Sequence, residues 1–208
     1  MTQRVSARTL RTKRMVAREF ARHTSPYVLA LSIVLPAVVR VRLGGFRLHD
    51  AVALGAVIAA QPFVEWALHR HVLHACPRRI AGLTIDPGAS HRGHHQSPDD
   101  VAGALLGFGY AVADTALVAV GVALAAVATT PLAGAIPTRG MLTAIVAGEI
   151  GLAAYEWTHL LLHSGHRPRS RWLRQLRANH RRHHFHDANR SFGITSIIGD
   201  RLLRTLPR

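Results

Sequence analysis

Long runs of apolar residues alternate along this chain with short stretches dense in arginine and histidine. Four runs stand out, at 27–41, 50–68, 101–129 and 141–162. The first is short and interrupted by Pro36. The second begins at Asp50 and holds one further acid, Glu65, near its far end; the third is broken only by Asp114; the fourth carries Glu149 and Glu156. A helix crossing a hydrocarbon core of about 30 Å needs roughly 20 residues, which the last three meet. A helix in a soluble bundle would show an amphipathic face, and the run from Val101 to Thr129 shows none. The pattern therefore predicts an all-α integral membrane protein, a bundle of four transmembrane helices.

Composition agrees and adds orientation. The 208 residues are 49% hydrophobic yet carry a net charge of +15, with a mean hydropathy of +0.14. So much apolar surface excludes disorder, and the lone Cys76 excludes a disulfide scaffold. Segments 1–25, 69–100 and 164–208 hold 7, 4 and 11 basic residues. The intervening short loops hold only Arg42, Arg47 and Arg139, with Arg40 at a span edge. Basic loops favour the cytoplasm, so both termini and every histidine-rich segment are expected on the cytoplasmic side. No cleavable leader pattern follows the first charges. The expected organisation is a basic segment, 1–25, followed by one membrane-embedded domain, 26–208. Within it, 70–100 and 164–208 are too short for separate cores and must pack together as a helical cap.

Fifteen histidines decide the chemistry. His23 and His49 are isolated. Eleven of the others fall into groups: His69, His71 and His74; His91-x2-His94-His95; His159-x3-His163; and His180-x2-His183-His184. At about 100° per residue, each HxxHH triplet projects within one sector of a helix, and His159 and His163 share a face. His69 and His74 lie about 140° apart on an ideal helix and need not share an ion; His71 pairs with His74 just as readily. Two HxxHH groups and two pairs at span ends, all on one side, point to metal. Ten ligands (His69, His74, His91, His94, His95, His159, His163, His180, His183 and His184) exceed what one ion takes and suit two ions with five nitrogens each. Imidazole suits iron, zinc, copper or nickel alike. Glu65 and Glu156, one turn before His69 and His159, are placed to accept a ring N–H, and Asp187 stands beside the last box. Trp66, Trp157 and Trp172 read as interface anchors.

The four boxes in order, interleaved with four spans, resemble the fatty acid hydroxylase/sterol desaturase superfamily. The tail His183-His184-Phe185…Asn189-Arg190-Ser191-Phe192-Gly193-Ile194-Thr195-Ser196, with Pro98-Asp99 after the second box, resembles its fatty acid 2-hydroxylase branch. That resemblance implies a membrane oxygenase with a histidine-ligated dimetal site, iron in the working enzyme, acting on a fatty acyl chain or acyl lipid. Oxygen insertion into an unactivated C–H bond needs a metal that changes oxidation state, so iron is expected and zinc only as a substitute in purified protein. Two departures stand. No cytochrome b5 domain is recognisable, and His71 and His186 have no place in the family pattern.

Each turnover consumes two electrons, and the sequence shows no flavin fingerprint, haem-attachment motif or cysteine cluster. An external donor of ferredoxin or cytochrome b5 type is expected. Arg167, Arg169, Arg171, Arg174, Arg177, Arg181 and Arg182, beside the fourth box, would suit an acidic one. The basic surface carries no nucleic-acid motif, and anionic lipid headgroups are its simpler partner. Two other readings compete. A carotenoid ring hydroxylase or sterol-type oxidase would share these boxes. A metal transporter or sensor would place its ligands near mid-bilayer, whereas these cluster at one face.

Overall fold

Hydrophobic patterning and local capping account for most element boundaries in the computed structural model, which describes residues 5–133 and 137–206. Arg4, Arg208 and part of the loop between the third and fourth apolar runs lie outside the described residues. Helices α1 (Lys13–Phe20), α2 (Ser25–Arg42), α3 (Leu48–Leu68), α4 (Ala89–Gln96), α5 (Val101–Ala104), α6 (Phe108–Ala133), α7 (Thr138–His163), α8 (Arg171–Phe185) and α9 (Ile198–Leu202) dominate. Thr12 caps α1 by accepting from Met15 N at 3.2 Å. Ser170 caps α8 through Leu173 N, the expected use of a hydroxyl at a helix start. A small antiparallel hairpin, β1 (Arg78–Ile80) with β2 (Leu83–Ile85), adds a minor non-helical element. Its two-residue turn, Ala81–Gly82, has both φ angles positive, as a type I′ turn requires.

Among the described residues three helical stretches are long and apolar enough to cross a membrane: Ser25–Arg42, Leu48–Leu73 and Val101–Ala128. Only 11%, 6% and 11% of their most apolar windows are buried. Side chains such as Leu31, Leu35, Ile58, Leu124 and Val127 face outward, which water would penalise and lipid would not. Pro36 sits inside α2 without ending it. The third run is not one uninterrupted helix, because the chain leaves helical geometry between α5 and α6. Helix α7 is long enough to span, at 26 residues, but Glu149, Glu156, Tyr155 and Trp157 dilute its apolar character.

The chain divides into two compact units. The second, His23–Gln61 with Leu106–Ala154, pairs its buried polar groups internally. Asp50, fully buried, accepts from Arg40 Nε at 2.9 Å, Thr143 Oγ1 at 2.8 Å and Arg47 N at 2.8 Å. Glu149 accepts from Ser32 Oγ at 2.8 Å.

The first unit comprises Met1–Arg22, Pro62–Leu105 and Tyr155–Arg208, and it holds every clustered histidine. Two apolar clusters support it. One joins Ala7, Leu10 and Val16 to Val101, Ala104, Leu105, Leu160 and Leu161; the other joins Leu162, Leu173, Leu176 and Ile194. The amino-terminal segment is thus built into this unit. Ala7 N donates to Asp99 O at 2.7 Å, Val101 N to Val5 O at 3.1 Å, and Gly165 N to Ala7 O at 3.1 Å.

Candidate metal centre

Ten imidazoles form much of the interior of the first unit; His69, His94, His180 and His183 are among the most deeply buried side chains in the protein. They sort into two clusters. Cluster one is His69, His74, His91, His95 and His183; cluster two is His94, His159, His163, His180 and His184. Within each, the candidate ligand atoms all lie within 4.8 Å of one another. The rings of His95 and His184, one from each cluster, stack at 4.1 Å, so the clusters are contiguous.

Helix geometry explains the sorting. On α4, His91 and His95 are separated by about 40° and His94 lies about 60° to the other side. The first two therefore join cluster one and His94 joins cluster two. On α8 the exchange is reversed: His180 and His184 join cluster two and His183 joins cluster one. Each HxxHH helix straddles both clusters. The ends of α3 and α7 then supply one pair each, His69 with His74 and His159 with His163.

The pairing of His69 with His74 rests on a π-helical turn, His69–Leu73, at the end of α3. His74 N donates to His69 O at 3.2 Å. The wider turn advances less per residue, which brings positions five apart onto one face. His71 is left outside, exposed, with its ring against Trp66 at 5.6 Å. His186 caps α8 and is exposed. His23 and His49 belong to neither cluster.

The ring nitrogens fit cation ligation. Nδ1 of His69 donates to Phe192 O at 2.6 Å, that of His159 to Ala104 O at 2.9 Å, and that of His183 to Arg190 O at 2.8 Å. A carbonyl can only accept, so Nδ1 carries the proton and Nε2 keeps its lone pair. The Nε2 atoms converge: His69 to His91 3.0 Å, His74 to His183 3.0 Å, His95 to His91 3.1 Å in cluster one. In cluster two, His94 to His163 is 3.0 Å, His180 to His163 2.7 Å and His184 to His180 3.1 Å. Nitrogens bound at about 2.1 Å and at right angles stand about 3.0 Å apart. Lone pairs this close repel unless a cation lies among them, so the residues present fit one ion per cluster. Burial, reinforced by neighbouring imidazoles, keeps the rings neutral. It lowers His74 to about 4, His95 to about 3 and His184 to about 2, and pushes His91, His94 and His180 down as well.

The Glu65 carboxylate goes to a loop rather than to the ring it precedes. Glu65, buried, accepts from Thr195 N at 2.9 Å, from Ile194 N and from the Thr195 hydroxyl. It anchors the loop whose Phe192 carbonyl receives His69. Glu156 is buried, but the Nδ1–H of His159 goes to Ala104. Asp187 accepts from Asn189 N at 2.9 Å and pairs with Arg190 at 3.4 Å, shaping the loop that presents the Arg190 carbonyl to His183. Trp66 donates to Thr205 Oγ1 at 2.9 Å, Trp157 packs on Phe20, and Trp172 is exposed.

Asp200 went unmarked in the sequence. Fully buried, it accepts from Phe192 N at 2.9 Å, Gly193 N at 2.8 Å and Thr205 Oγ1 at 2.6 Å. Gly193 has no room for a side chain: a Cβ would collide with Ser196 O and meet Asp200 Oδ2 at 2.9 Å. The Phe192 ring packs against His69, His74 and His183. The carbonyls of Ala104, Arg190 and Phe192 leave no side-chain signature by which a sequence could mark them.

Residues 54–205 match the fatty acid hydroxylase family. Fatty acid 2-hydroxylase of Mus musculus is 29% identical over 145 residues, 69% of this chain and 36% of that protein. A dihydroceramide fatty acyl 2-hydroxylase of Arabidopsis thaliana is 31% identical over 145 residues, 69% of this chain and 56% of that protein. The matched region thus spans about a third of the mouse relative and just over half of the plant one. Among solved structures, full-length Scs7p, of which only the hydroxylase domain is visible, superposes with a TM-score of 0.57. It shares 18% identity and covers 96% of this chain and 68% of that one, a likeness of fold. The histidine boxes, the helical fold and the family match agree: the chain belongs to the fatty acid hydroxylase family, on its fatty acid 2-hydroxylase branch.

Proposed function

We propose that the protein is a membrane-bound two-iron oxygenase that hydroxylates an unactivated C–H bond of a fatty acyl chain or acyl lipid, at carbon 2. The observation that carries this reading is the pair of five-imidazole clusters, with Nε2 atoms about 3 Å apart and Nδ1 atoms turned to backbone carbonyls. The cluster-one and cluster-two histidines would each hold one ion. Iron, when bound, supplies the change of oxidation state that reaction with O₂ demands, and zinc substitutes without activity. The chain's own contribution is to fix ten neutral rings before substrate arrives and to keep bulk water from them. The balance is substrate C–H, O₂, two electrons and two protons giving C–OH and water. The electrons come from a donor outside these residues, of ferredoxin or cytochrome b5 type.

The remaining features follow the same reading. Helix α7 acts as a fourth span, the histidine clusters and both termini face the cytoplasm, and exposed arginines meet anionic headgroups. Arg174 and Arg182, exposed on α8, suit an acidic donor. Arg177 is half-buried and does not belong to such a surface. The loop from Phe192 to Ser196, built into cluster one, favours the acyl branch over a carotenoid ring hydroxylase. Lipid mass spectrometry of cells with and without the gene tests this. Hydroxylated acyl chains should vanish with the gene. Unchanged acyl lipids beside altered carotenoids would overturn the reading.

A further inference from the structure

A cavity of about 310 Å³ opens against cluster two, its walls including His163, His180 and His184 together with Arg8, Arg177 and Arg181. Asp99 also lines it, but Arg8 Nε donates to Asp99 Oδ1 at 2.7 Å, so those two charges cancel. Arg177 and Arg181 stand one turn apart on α8. Among the described residues no carboxylate lies within ion-pair distance of either. Arg177 donates to the carbonyls of His166 and Leu161, and its Nε is buried without a protein partner. The Arg181 guanidinium sits 5.7 Å from the Phe185 ring.

Two like charges at this spacing repel, and a half-buried guanidinium without a counter-charge is unfavourable. Ions in the neighbouring histidine cluster would add further positive charge. An oxyanion in the cavity relieves all three, through charge-assisted hydrogen bonds to two guanidinium groups.

We infer that this cavity binds the charged end of an acyl lipid, a carboxylate or a phosphate, through Arg177 and Arg181. The inference rests on the hydroxylase reading and deepens it, because it names how the substrate is held. A carboxylate seated there places its neighbouring carbon, C2, one bond from the clamped group. The same cavity wall carries His163, His180 and His184. Charge at the end of the chain, rather than chain length, then selects the substrate and fixes the carbon presented to the centre.

The test is equilibrium binding to zinc-loaded protein in detergent, which holds the ions without turnover. Radiolabelled palmitate is compared with uncharged hexadecanol, and phosphatidate with phosphatidylcholine in nanodiscs. Palmitate should bind at least about tenfold tighter than hexadecanol. Arg177→Gln and Arg181→Gln should each lose about tenfold, the usual worth of a hydrogen bond to a charged group. Arg171→Gln, at the exposed start of α8, should bind as wild type. Arg177→Lys should retain much of the affinity, and two zinc ions per chain would certify that each variant is folded. Arginine dependence for phosphatidate instead of palmitate would identify a phosphate headgroup as the ligand. Equal binding of charged and uncharged lipids in both pairs would overturn the site. Hydroxylation of neutral acyl amides without arginine-dependent binding would remove this inference and leave the hydroxylase reading standing. Arginine-dependent binding in a protein that leaves cellular lipids unchanged would do the reverse.

Discussion

His94 and His95 are neighbours in sequence yet serve different clusters: His94 Nε2 lies 3.0 Å from His163 and His95 Nε2 lies 3.1 Å from His91. The step of about 100° between consecutive helical residues separates them. Helix α4 thereby separates the two histidine clusters and contributes to both.

Adjacent substitutions should consequently remove different ions. Purified wild type should carry two metal ions per chain. His95→Ala should deplete cluster one and His94→Ala cluster two, each leaving about one ion, while His23→Ala and His49→Ala keep two. Metal analysis of protein purified in detergent reads this directly. Loss of both ions, or of neither, in the two adjacent variants would contradict the division.

Glu65 acts at a distance from the metal. Its carboxylate holds Ile194 and Thr195, and that loop offers the Phe192 carbonyl to His69. Glu65→Ala leaves buried N–H groups unpaired, at about 1–3 kcal/mol each. Thermal unfolding of zinc-loaded protein should occur at a lower temperature, and cluster one should lose metal before cluster two. An unchanged melting temperature would show that the loop holds without it.

The amino-terminal segment should matter for cluster two. Ala7 is fully buried and ties Asp99 and Gly165 together, just ahead of the Ala104 carbonyl that orients His159. Gly165 approaches so closely that a Cβ would collide with Arg8 O. Ala7→Leu should therefore overpack the contact, at about 1–3 kcal/mol, and reduce occupancy of the second ion. Full occupancy of both sites in this variant would count against a positioning role for the segment.

Acid sensitivity follows from the lowered histidines. Metal binds neutral imidazole, and protons compete only near each ring's own pKa. Burial holds His74 at about 4 and His95 at about 3, so metal should persist through the region near 6.5 where an exposed imidazole titrates. An unfolded chain protonates in that region first, so stability falls as pH drops below about 6.5. Metal should then be released as pH nears about 4. Dialysis at stepped pH with metal analysis measures it. Release between pH 7 and 6 would mean that the rings are open to water.

What the sequence by itself determined was most of the histidine set and the apolar helices that lead into it. Apolar runs marked four candidate spans, because a hydrocarbon core sets a minimum length that a soluble fold does not. The first three coincide with helical stretches apolar enough for a bilayer, whereas the fourth, α7, is long enough but diluted by polar residues. Helical spacing marked the two HxxHH triplets and the His159–His163 pair, and left open whether His69 or His71 partners His74. Tertiary structure decided the rest. The division into two groups of five needed α4 and α8 to face each other with opposite handedness of donation, which no spacing within either helix reveals. His69 and His74 share a cluster only because α3 ends in a wider turn, and local sequence carries no sign of it. The ring orientations depend on the carbonyls of Ala104, Arg190 and Phe192, and every residue has a carbonyl. Glu65 and Asp200 act through a loop more than a hundred residues from Glu65 in sequence, a contact that exists only once the chain has folded.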